Sequence, residues 1–140
     1  MRGAKGEDIA DRLVEVAARV VKVVDALPQT PAGRTIGAQL LRCGTSPGAN
    51  YEEARGAESR ADFVHKIAVA LKEMQETRYW LRLVSRAELI QSDRMDSLVD
   101  EVEQLCLILG KSAVTARSSN RVQPTVRSSN RAQPTVGGRL

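Results

Sequence analysis

Arg78, Arg82 and Arg86 recur every four residues, a spacing that puts three guanidiniums on one face of a helix. Such a row can pair bidentately with successive phosphates, so the chemistry it suggests is contact with RNA or another nucleic acid. The same residues have a plainer use, because cations in the last turn of a helix offset its dipole and pair with nearby acids such as Glu88. A second group of cations, Arg117, Arg121, Arg127 and Arg131, falls in the C-terminal stretch. There RSSNRVQPTV at 117–126 is repeated as RSSNRAQPTV at 127–136.

Other combinations fall short of a reaction. Asp62 and His65 have the i, i+3 spacing of a carboxylate-bridged metal motif, but a di-metal bundle needs it from two helices and His65 is the sole histidine. Glu52, Glu53, Glu73 and Glu76 are acids without an adjacent nucleophile or a Gly-rich phosphate loop. No catalytic residue, metal or cofactor is expected, and the protein is not expected to be an enzyme. Asn50, on the inward side of its helix, needs partners, since an unpaired buried amide costs about 1–3 kcal/mol. The expectation is a polar layer in which Asn50 bonds across the bundle to Glu53, Glu73 or Glu76. Cys43 and Cys106 fall on apolar helical faces and read as buried thiols.

The elements that would hold these residues are helices. The segment Ser59–Arg86 contains no Gly or Pro, with Ser59 as N-cap and Asp62 three residues on, and spans about 40 Å as one helix. Phe63, Ile67, Ala70, Met74, Thr77, Leu81 and Val84 form its buried stripe. Tyr79, Trp80 and Leu83 add apolar surface on a second face, as a contact with another subunit would require. Before it, a helix from about Asp8 to Leu27 carries two apolar stripes: Ile9, Leu13, Val16, Val20, Val23 and Leu27, and beside them Val14, Ala17, Val21 and Val24. Its Asp8/Arg12 and Glu15/Arg19 pairs stand four apart and predict a solvated face. A second helix begins near Arg34 after Pro28, Pro31 and Gly33, and either kinks or restarts at Pro47. Gly44, Ser46, Gly48 and Ala49 allow another helix to come close. A fourth helix, capped by Ser92 or Asp93, follows the Met95, Val99, Val102, Cys106, Leu109 and Ala113 stripe. Short turns between long helices predict an all-α, antiparallel up-and-down four-helix bundle.

Charge divides the chain in the same way. Residues 1–111 hold 16 Lys or Arg against 17 Asp or Glu, whereas residues 112–140 hold five Arg and no acid. Residues 1–116 are therefore read as the bundle domain and 117–140 as a disordered, Arg-rich tail. No run of 18 apolar residues and no apolar leader occurs, so a cytoplasmic protein without a membrane partner is expected.

The run from Thr35 to Val84 resembles a known family. The resemblance is carried by IGAQLLR at 36–42, the small-residue segment ending at Ala49-Asn50, and Glu53. It continues through Ser59-Arg60-Ala61-Asp62-Phe63, Ala70-Leu71-Lys72-Glu73, Glu76 and Tyr79-Trp80-Leu81. These resemble the four-helix bundle proteins encoded within intervening sequences of bacterial large-subunit ribosomal RNA genes. The sequence departs from that pattern at Cys43, where Ser is common, and at Pro47 and Tyr51, where aliphatic residues are common. The resemblance implies a homopentameric ring, in which Tyr79, Trp80 and Leu83 would meet a neighbour. The family is similar in fold to basic accessory proteins of diversity-generating retroelements, whose pentamers bind nucleic acid and a reverse transcriptase.

Two roles follow as expectations. The first is RNA or other nucleic-acid association through Arg78, Arg82, Arg86, Arg117, Arg121, Arg127 and Arg131. The second is a protein adaptor for a partner such as a reverse transcriptase or a ribosome-associated factor, to which the acidic face of the fourth helix points.

Overall fold

A computed structural model describes residues 2–122, with side chains described for 5–118 except Ser92. Four helices follow one another: α1 (Arg2–Ala26), α2 (Pro31–Arg55), α3 (Arg60–Arg86) and α4 (Ser92–Val122). Short turns reverse the chain between them, and the product is the expected all-α, up-and-down bundle. Its core is a single apolar column in which Leu13, Val20, Leu40, Ile67, Met74, Leu81, Leu98, Leu105 and Leu109 are almost fully buried. Each such side chain contributes about 1.5–3 kcal/mol of transfer free energy.

The helix ends explain the boundaries. Thr30 accepts a hydrogen bond from the Gly33 amide at 3.1 Å and Pro31 occupies the first turn, where its missing N–H costs nothing. That Thr-Pro start opens α2 three residues before the expected Arg34. Ser59 caps α3 as expected, accepting from the Asp62 amide at 3.1 Å. At the other end of α3, Leu89 N–H donates to the Val84 carbonyl and Glu88 N–H to Ser85, with Glu88 at φ 57°. This is a Schellman ending in which Glu88 holds the left-handed position that glycine usually takes. The first helix starts at Arg2, before the expected Asp8, and α4 starts at Ser92 and runs to Val122, past the expected boundary at Ala116. Residues 123–140, with most of the repeated decapeptide, lie outside the described residues.

Pro47 neither breaks nor restarts α2. The helix continues through it, with Pro47 buried. The cost of a mid-helix proline, about 3 kcal/mol, is offset because α2 packs along its length on α1 and α3. The contact with α1 is close. A Cβ added at Gly44 would lie 2.8 Å from Val20 Cγ1, and one at Gly37 would lie 3.3 Å from Leu27 Cδ1. Glycines on α2 thus let α1 seat its valines and leucines directly on the neighbouring backbone.

The α1–α4 seam is different in kind. It is closed by polar pairs: Arg12 grips Glu101 through Nε and Nη2, both at 2.9 Å, and Arg19 donates to Ser97 Oγ at 3.1 Å. The i, i+4 spacing predicts that Arg12 and Arg19 pair with Asp8 and Glu15 on a solvated face. They turn instead towards α4, where Arg12 finds a bidentate carboxylate.

Candidate nucleic-acid interface

The long uninterrupted α3 puts Arg78, Arg82 and Arg86 in a row, and antiparallel packing brings the acidic first half of α4 alongside them. Arg78 Nε lies 3.2 Å from Glu103 Oε2, without the alignment of a hydrogen bond. Arg82 and Arg86 line an open cleft of about 350 Å³ with Ser85, Asp96, Val99 and Asp100. The stripe therefore shares its surface with three carboxylates. Its potential for a polyanion is reduced in proportion. Arg117 is exposed on α4, while Arg121, Arg127 and Arg131 fall where no side chain is described.

The expected polar layer does not form as one layer. Asn50 is half-buried and its Nδ2 donates to the Ser46 carbonyl one turn back, at 3.2 Å. It reaches none of the three glutamates, because its own backbone offers an acceptor. Glu53 is exposed and pairs with Lys66 at 2.6 Å. Glu73 and Glu76 do come together, but around a residue that the sequence pattern does not single out. Arg42 on α2 donates to both carboxylates. Ser46 Oγ donates to Glu73 at 3.0 Å, and Trp80 Nε1 to Glu76 at 3.0 Å. The Trp80 and Arg42 hydrogen bonds hold the Glu76 carboxyl below the usual carboxylate range. This clasp ties α2 to α3. The only sequence signal for it is Arg42 at the end of the IGAQLLR run, since nothing in spacing places an arginine of one helix against acids 31 and 34 residues later.

Of the expected subunit contacts, Tyr79 is 59% exposed and stacks edge-on with Trp80, ring centroids 5.0 Å apart. Trp80 and Leu83 are half-buried, Trp80 because its indole belongs to the clasp. Sequence reasoning misses Leu107 and Val114, seven residues apart on α4 and 70% and 61% exposed. Cys43 is buried as expected and Cys106 half-buried; loss of water around each raises its thiol pKa. Among the described residues no group of three His, Cys, Asp or Glu could hold a metal ion, and His65 is exposed. No described helix is long and apolar enough to cross a membrane.

The bundle from α1 to the middle of α4 has a counterpart among known proteins: the 23S rRNA-intervening sequence protein model matches residues 7–111. The chain belongs to this family. A solved structure from Bacteroides thetaiotaomicron, described as a protein of unknown function from the S23 ribosomal protein family, is 37% identical, with a TM-score of 0.72. The match covers 78% of this chain and 97% of that one. Among curated proteins none matches the sequence. The family match ends at residue 111, before the Arg-rich stretch.

Proposed function

We propose that this chain is a non-enzymatic, self-associating helical bundle, assembled as a homopentamer, that associates with RNA in the cytoplasm. The observation that carries this reading is the separation of charge. Residues 1–111 are nearly balanced, while five arginines and no acid follow in residues 112–140. In a ring of five such chains the stretches would combine into a dense cationic surface, which attracts polyanions without regard to sequence. Within this reading Arg117, Arg121, Arg127 and Arg131 supply most of the attraction, and the acids beside Arg78, Arg82 and Arg86 leave that stripe a minor share. The family's tie to ribosomal RNA genes favours RNA as the polyanion. Self-association is supported by apolar side chains exposed on unlike faces: Val14 and Val21 on α1, Leu41 on α2, and Leu107 and Val114 on α4. Contacts between unlike surfaces are head-to-tail, and a ring forms when the rotation from one chain to the next closes, here after five.

The test is native mass determination together with fluorescence-anisotropy titration of a structured ribosomal RNA fragment at two salt concentrations. The comparison is between the full chain and a full-length variant with Arg117, Arg121, Arg127, Arg131 and Arg139 changed to Gln. The expected result is a five-chain mass and salt-dependent binding, with a slope that falls by about 0.7–0.9 for each phosphate the variant no longer neutralises. A ring that binds no RNA at either salt would refute the RNA role. It would favour the protein-adaptor reading, for which the acidic face of α4 is the specific support.

A further inference from the structure

One groove on the bundle collects cations without matching acids. Between the end of α1 and the start of α4, Arg19, Lys22 and Arg94 rim a space of about 200 Å³. Its floor is Val23, Ala26, Ile90, Met95 and Leu98, and no carboxylate lines it. Lys22 and Arg94 are exposed and make no ion pair or side-chain hydrogen bond among the described residues. Arg19 is half-buried and tethered to Ser97 Oγ. Glu101, which also feels Arg19, is engaged by the Arg12 fork.

We infer that this groove is a binding point for single-stranded RNA, an inference that rests on the RNA reading above and adds a site on the folded bundle to it. The space is smaller than the 300–1,000 Å³ typical of small-molecule pockets and open along one side, which suits one nucleotide of a longer strand. Three cations at the rim provide for its phosphates, and the aliphatic lining takes the less polar surface of the sugar and base out of water. A strand crossing here would meet positive charge that the fold leaves uncompensated, whereas one crossing the α3 stripe would meet Glu103, Asp96 and Asp100.

The experiment uses the full chain and a fluorescein-labelled oligouridylate, with a labelled oligoglutamate peptide of similar charge as the second probe. The variant is K22Q/R94Q, which removes the two cations without a structural partner and leaves Arg19 in place; a thermal melt checks that it folds as the parent does. The expected result is an oligouridylate affinity about tenfold weaker at low salt and a salt slope lower by about 1.4, or about 0.7 for each of two phosphates. A parent that binds and a variant that binds equally, with the same slope, would overturn the groove while leaving the RNA reading standing. Absence of oligouridylate and ribosomal RNA binding by the parent would overturn both. Tighter binding of oligoglutamate than of oligouridylate, abolished in K22Q/R94Q, would overturn the inference by making the groove a docking site for an acidic protein segment.

Discussion

The α3 arginine stripe and the α1–α4 groove are both cationic features of the same end of the bundle, and they differ in what faces them. Arg78, Arg82 and Arg86 have the regular spacing, but α4 presents Glu103, Asp96 and Asp100 beside them. Arg19, Lys22 and Arg94 come from two helices far apart in sequence, yet their groove has no carboxylate in its lining. A periodic row of arginines thus marks a helix face, while the availability of that face is decided by the helix packed against it. A surface cation is balanced either by a neighbouring acid or by solvent, and only the second leaves attraction for a ligand.

The largest expected effect comes from breaking the groove at its foundation. Gly44→Val would drive a side chain into Val20, displace α1 and destabilise the bundle by about 1–3 kcal/mol. Thermal unfolding reads the loss directly, and oligouridylate binding should fall more than under R82Q/R86Q, because α1 forms one wall of the groove and none of the stripe. Neutralising the acids opposite the stripe sharpens the contrast from the other side. D96N/D100N/E103Q should strengthen RNA binding about tenfold at low salt and steepen its salt dependence, by releasing three guanidiniums.

A smaller effect is expected of the carboxylates that hold the seams. Glu101 is held below the usual carboxylate range chiefly by the Arg12 hydrogen bond, and Glu76 chiefly by Trp80 and then Arg42. A depressed folded-state pKa gives stability that is fully present above the unfolded value of about 4.3 and is lost as pH falls through the folded value. Melting temperature should therefore drop on acidification below about pH 5. E76Q/E101Q should flatten that drop while lowering stability at pH 7 by up to about 1 kcal/mol, since both pairs are partly exposed.

The bundle is legible because apolar periodicity and end signals are local. Of the expected α3 stripe, Ile67, Ala70, Met74, Thr77, Leu81 and Val84 are buried and Phe63, in the first turn, is half-buried, and Ser59 caps the helix. Pro47 is undecidable locally, since whether a helix survives a proline depends on packing on either side. Gly44 and Gly48, within one turn of it, supply that packing against Val20 and Leu13. Polar partnerships are legible only within a turn of helix. Spacing matches Arg12 to Asp8, but it bonds to Glu101, 89 residues away. Asn50, expected to reach across the bundle, bonds to Ser46. Arg42 and the groove cations escape sequence reading for the same reason, because each acquires its surroundings from another helix.

The most direct test sets K22Q/R94Q beside R82Q/R86Q in salt titrations of the same oligouridylate, each variant removing two exposed cations from the full chain. The predicted result is a clear fall in affinity and salt slope for the groove variant and a change within about twofold for the stripe variant. Equal losses in both, or a larger loss from R82Q/R86Q, would contradict the claim that unmatched charge rather than regular spacing determines where this bundle meets RNA.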